Sequence, residues 1–147
     1  MRGEGSLHQQ VLRTEAKGAR QTDKRHSENR KEHGKTRRVF AALNVPAVPA
    51  TAEPAKPPGP FPSAPALVAY MDGEGNDLLP AAMEIVPAIA EVRAALTGLS
   101  SCKCAGLSGA GPTCCGIFAS AEAASAACET LRAAHPHWWV AATTLGG

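Results

Sequence analysis

Two short apolar runs, Cys102–Ser108 and Thr113–Ala119, flank the tetrapeptide Gly109-Ala110-Gly111-Pro112, and no regular helix can run through that junction. Both runs are of strand length and rich in strand-compatible residues, so the pair reads as a β-hairpin with a glycine-rich connection. The residues after the hairpin are equally directive. Ser120 N-caps a helix predicted over Ala121–Ala134, with Ala124, Cys128 and Leu131 on its inner face, and His135-Pro136 ends it. His137–Leu145 then reads as a closing strand. Trp138 and Trp139 must point to opposite faces of it, one into the core and the other exposed or covered from outside.

Upstream of the hairpin, Asn76 or Asp77 caps a helix that accepts Pro80 in its first turn. Leu78, Ala82, Ile85, Ile89, Val92 and Leu96 recur at helical spacing, while Glu84, Glu91 and Arg93 fall off that stripe. Pro87 removes one intrahelical hydrogen bond and should kink the helix, and Gly98 stops it. Leu67–Met71 reads as a short helix and Asp72-Gly73-Glu74-Gly75 as a turn. Between Asn44 and Ala66 eight prolines forbid regular helix, so residues 44–66 are expected to form an extended surface loop. Thr36–Leu43 is expected to be a short helix capped by Thr36. Helix, strand, strand, helix, strand is an α+β sandwich without an opening strand.

Charge divides the chain unevenly. Residues 1–38 hold eleven Lys/Arg against five Asp/Glu, whereas residues 39–147 hold four against eight. Residues 1–35 lack periodicity and have almost no large apolar side chains after Leu12, so they read as a disordered basic leader. A nucleic-acid tail is disfavoured, because aromatics for base stacking are absent and Glu15, Asp23, Glu28 and Glu32 dilute the charge. The same acids break the pattern of a transit peptide, and no apolar run reaches membrane-spanning length. The reading is a cytoplasmic chain. Its composition changes abruptly before Thr36, as a shifted frame or a misplaced start would leave it.

Five cysteines, an odd number, argue against a disulfide framework. Cys102, Cys104, Cys114 and Cys115 do not have a usual zinc spacing, and adjacent Cys114 and Cys115 would point to opposite strand faces. They are read as small apolar residues, with no metal site. His135 and His137 flank a proline at a helix–strand junction and are read as structural.

The stretch that bears chemistry is Leu107–Thr113. Glycines between two strands let backbone N–H groups converge on an anion, forming a nest for phosphate, and Ser108 and Thr113 add hydroxyls. The same string also fits a plain tight turn. It is not a Walker loop, since no lysine follows the glycines and no helix opens after them.

The string LSGAGPTCCGIF, the alanine-rich helix after it and the closing AHPHWWVAATTLG together resemble the third motif and final elements of the GHMP kinases. Homoserine kinases share the S-G-x-G-P-T string. Gly75-Asn76-Asp77-Leu78-Leu79-Pro80-Ala81-Ala82 and the H-P-x-W-W-V ending at His135–Val140 resemble the 4-diphosphocytidyl-2-C-methyl-D-erythritol kinase branch.

The resemblance implies several things. Residues 36–147 would form a ferredoxin-like GHMP kinase C-terminal domain lacking its first strand, with unpaired strand edges that favour dimerisation or aggregation. The activity would be ATP- and Mg2+-dependent phosphorylation of a small alcohol, diphosphocytidyl methylerythritol, in isoprenoid precursor synthesis. Ser108, Gly109, Ala110, Gly111 and Thr113 would lie near the substrates, with no catalytic residue among them. The family's ATP loop, P-x-G-A-G-L-G-G-x-S-S, and its catalytic Lys and Asp find no match in residues 1–35, so this chain alone is expected to be inactive. A fragment of another GHMP kinase, such as a homoserine kinase, and a stand-alone binding module are the alternatives.

Overall fold

The computed structural model describes residues 9–16, 25–43, 45, 46, 49, 51–53 and 58–145. In chain order the elements are β1 (Gln9–Ala16), α1 (Arg25–Ala42), α2 (Ala64–Glu74), α3 (Leu79–Ile85), α4 (Ala88–Thr97), β2 (Cys102–Leu107), β3 (Cys114–Phe118), α5 (Ala121–Ala134) and β4 (Trp138–Leu145). The four strands form one antiparallel sheet in the order β2-β3-β1-β4. With helices between β1 and β2 and between β3 and β4, this is a ferredoxin-like α+β unit.

The α+β class therefore holds, but the vacant strand position does not. Gln9–Ala16 occupies it, pairing with β3 on one side (Leu12 opposite Gly116) and with β4 on the other (Leu12 opposite Ala142). The disordered reading of the leader is corrected for this segment and for residues 25–35, which begin α1. The physical reason is non-local. Two neighbouring strands satisfy the backbone of a segment whose own apolar content is too low to announce a strand. Arg, Glu and Lys are good helix formers, which carries α1 back to Arg25 and leaves Thr36 inside the helix instead of at its cap. The remaining leader residues, 1–8 and 17–24, lie outside the described residues, as do residues 44, 47, 48, 50 and 54–57 of the proline-rich stretch.

The other departures are small. Ser63 accepts a hydrogen bond from the Ala66 N–H and starts α2 earlier than Leu67, with Pro65 in the first turn. The helix runs through Asp72-Gly73-Glu74 and ends at Gly75, where φ is 64°. Pro87 does more than kink: it separates α3 from α4 and becomes the N-cap of the latter. Ser120 caps α5 through the Ala123 N–H, and the helix spans the residues expected of it.

Alternation along the strands divides the sheet into two faces. Cys114, Phe118, Trp138 and Val140 point to the side covered by α4 and α5. There they form a core with Ile89, Val92, Leu96, Ala124, Cys128 and Leu131. Val39 of α1 joins it, and α1 packs on α3. Each fully buried Ile, Leu, Val or Phe contributes roughly 1.5–3 kcal/mol. On β4, Trp138 is 6% exposed, whereas the next residue, Trp139, is 41% exposed on the opposite face. Cys104, Cys115 and Ile117 also belong to that opposite face.

Candidate functional site

The glycine connection between β2 and β3 is a closed turn. The Ser108 N–H donates to the Thr113 carbonyl at 2.9 Å, and the Gly111 N–H donates to the Ser108 carbonyl at 3.0 Å. Gly109 and Gly111 take φ of 55° and 72°, a region that side-chain-bearing residues enter only at a cost. At Gly111 space is a second constraint, because a Cβ there would lie 2.9 Å from both Ile89 Cδ1 and Leu107 Cδ1. The Gly111-Pro112 peptide is cis.

Two side chains from distant parts of the chain hold the turn. Asn76 Nδ2 donates to the carbonyls of Leu107 and Gly109, at 2.9 Å each, while its Oδ1 accepts from the Leu78 N–H. Neither Asn76 nor Asp77 is the N-cap expected from the sequence, since α3 opens at Leu78 without a side-chain cap; the last bond closes a turn just before the helix, and the other two tie the segment after α2 to the hairpin. Lys35 Nζ donates to the Gly111 carbonyl. A lone lysine in a charge-rich segment carries no sequence signal of this contact.

All five sequence-derived residues, Ser108, Gly109, Ala110, Gly111 and Thr113, thus sit in one turn. Fewer backbone N–H groups are left unbonded there than the string alone offers. Gly111 uses its N–H inside the turn, whereas the N–H groups of Gly109 and Ala110 make no hydrogen bond among the described residues.

Beside the turn lies a cavity of about 530 Å³, bounded by the end of α2, the edge strand β2 and the sheet face opposite α4 and α5. Ser108 is shared between turn and cavity, and Asp72, Arg93, Cys104 and Thr143 also line the cavity. Arg93 falls off the apolar stripe of α4, yet it is half-buried at the cavity wall.

Cys102, Cys104 and Cys114 are weakened as nucleophiles. Burial pushes the Cys104 thiol up, the Asp72 charge pushes it further, and Arg93 partly opposes both. Burial raises Cys102 as well, and holds Cys114, fully enclosed, up to about 11. Among the described residues no three His, Cys, Asp or Glu side chains gather into a metal cage. His135 ends α5 by donating its N–H to the Leu131 carbonyl, and its ring stacks on Trp138 at 3.7 Å.

The protein-family description "GHMP kinases C terminal" matches residues 64–137, which run from α2 to the residue before β4. Three bacterial proteins named 4-diphosphocytidyl-2-C-methyl-D-erythritol kinase are similar to the chain. That of Cereibacter sphaeroides is 45% identical over 87 residues, covering 59% of this chain and 31% of the relative. That of Parvibaculum lavamentivorans is 41% identical over 110 residues, covering 75% and 37%. That of Rhodopseudomonas palustris is 41% identical over 117 residues, covering 76% and 38%. The chain therefore spans between three and four tenths of the length of these curated relatives. Half of its residues fit the family description, and that half contains the glycine turn with both strands that carry it, so this chain belongs to the GHMP kinase family through its C-terminal domain.

Proposed function

We propose that this chain serves as the C-terminal part of an ATP-dependent 4-diphosphocytidyl-2-C-methyl-D-erythritol kinase, in the synthesis of isoprenoid precursors. The observation that carries the reading is the likeness, at 41–45% identity, to kinases of that name. The geometry of the turn supports it. Phosphoryl transfer depends on positioning and on neutralising phosphate charge, and the N–H groups of Gly109 and Ala110, unbonded among the described residues, would serve as donors for that purpose. Ser108, exposed beside them, adds a hydroxyl.

In this reading the chain positions and does not catalyse. The described residues fit neither Mg2+, having no acidic cluster, nor an ATP cradle, having no lysine after the glycines, and no step is assigned through either group. Residues 1–147 on their own are accordingly expected not to transfer phosphate. A reducing, cytoplasmic setting belongs to the same reading, because all five cysteines are thiols. No helix among the described residues is long and apolar enough to cross a membrane.

A second reading is a stand-alone binding module. It is favoured by one observation: β1 fills the sheet, so the four strands form a ferredoxin-like unit without an outside strand. Amide NMR of the chain titrated with diphosphocytidyl methylerythritol, and separately with homoserine, discriminates the readings. The kinase reading expects shifts at Gly109 and Ala110 with the first ligand only. Shifts with homoserine instead would move the chain to the homoserine kinases, and no shift with either would favour the module.

A further inference from the structure

Arg93 is the one cation among the described residues lining the cavity, and no acid among those residues answers its charge. Among the described residues its buried Nε has no hydrogen-bond partner, and no carboxylate lies within 4.0 Å of it. Asp72 lines the same cavity without reaching it. Beside them Cys104 has its thiol pushed up by burial first and by Asp72 second, with Arg93 opposing. The enclosed Nε is out of reach of the cavity, but a half-buried guanidinium without a carboxylate partner favours an anion that meets its terminal nitrogens from the cavity side. The cavity's volume of about 530 Å³ is that of a small-molecule site.

We propose that this cavity binds a small organic monophosphate, with the phosphate on the Arg93 guanidinium and the carbon body against Met71, Leu79 and Ile117. Arginine's planar fork matches phosphate oxygens two at a time, and the hydroxyls of Ser108 and Thr143 offer further donors that a two-oxygen carboxylate would use less fully. Asp72 repels a second anionic group but accepts hydrogen bonds from hydroxyls, which favours a phosphorylated polyol over a diphosphate. The site requires no nucleotide and does not rest on the kinase reading, although Leu107, Ser108 and the turn-fastening Asn76 border both it and the turn.

Cys104 and Cys115 both line the cavity and report its occupancy. The full chain is treated with N-ethylmaleimide in the presence of glycerol 3-phosphate, and labelling is followed peptide by peptide by mass spectrometry. Glycerol 3-phosphate is expected to slow labelling of Cys104 and Cys115 several-fold, and glycerol is expected to do nothing. Arg93→Gln should weaken glycerol 3-phosphate binding roughly tenfold or more, the scale of a lost charge-assisted hydrogen bond. Asp72→Asn, at an exposed position that leaves the fold alone, should tighten binding and admit glycerol bisphosphate. Absent protection in the unaltered chain, equal protection by glycerol or by acetate, undiminished protection in a folded Arg93→Gln chain, or no effect of Asp72→Asn would each overturn the proposal.

Discussion

Asn76 gives both hydrogens of its side-chain amide to backbone carbonyls of the hairpin, one of them that of Gly109, 33 residues later in the chain. The tip of the glycine turn is thereby fastened to the linker between α2 and α3. Removing the amide should loosen the turn before it loosens the core. Asn76→Ala is expected to cost about 1–3 kcal/mol, from two lost donors and the lost acceptor for Leu78. Asn76→Asp keeps that acceptor but sets a carboxylate against two carbonyl oxygens. Its penalty should be largest at neutral pH and shrink as the carboxylate protonates in acid. Urea unfolding at pH 7 and pH 4 measures both; equal penalties at the two pH values for Asn76→Asp would sink the argument.

The two positive-φ glycines of the turn differ in their surroundings. Nothing lies within 4 Å of a Cβ at Gly109, so Gly109→Ala pays only for its backbone conformation, about 1–2 kcal/mol. Gly111→Ala adds a 2.9 Å approach to Ile89 and Leu107, whose ends belong to the core, and should cost about 1–3 kcal/mol more. Denaturation midpoints of the two variants give the order directly, and an equal or reversed order would mean the turn relaxes freely.

Cys114 links burial to alkaline stability. In the unfolded chain its thiol ionises around 9.0, whereas burial, the larger cause, and the neighbouring Cys115 hold it up to about 11 in the fold. Between these values the unfolded chain releases a proton that the folded chain keeps. Stability is therefore complete below pH 9 and falls as pH rises toward 11, by about 2–3 kcal/mol for this group. Cys114→Ala should be less stable at neutral pH, having left a small void, yet lose less between pH 8.5 and pH 11. A parallel pH profile for both chains would remove Cys114 as the source.

Legibility in the sequence follows locality. The span of α5 can be read because Ser120, a stripe of alanines with Cys128 and Leu131, and His135-Pro136 are contiguous signals acting within one element. The five turn residues are legible for the same reason, since glycine spacing dictates a turn wherever the chain goes. The features that escape are set by partners far away. Lys35 meets Gly111 across 76 positions, Asn76 meets Gly109 across 33, and Arg93 counts only because the edge of β2 and the end of α2 enclose it. The string Gln9–Ala16 has no strand-like alternation strong enough to stand alone, and becomes a strand because β3 and β4 lie on both sides of it.

That central placement makes β1 the most exacting test of the fold. At Leu12 the backbone stands in register with Gly116 on one side and Ala142 on the other, so a proline there cannot serve two ladders. Leu12→Pro is expected to unfold the sheet or drive it into aggregates through the opened edges of β3 and β4. Deleting residues 1–16 should act in the same way. Both effects are read from far-UV circular dichroism and from elution volume on a sizing column. If both chains stay folded and monomeric with unchanged melting, the sheet does not depend on β1. Residues 64–145 would then hold together around α4, α5 and the hairpin alone, and the glycine turn would rest on Asn76 without help from the N-terminal segment.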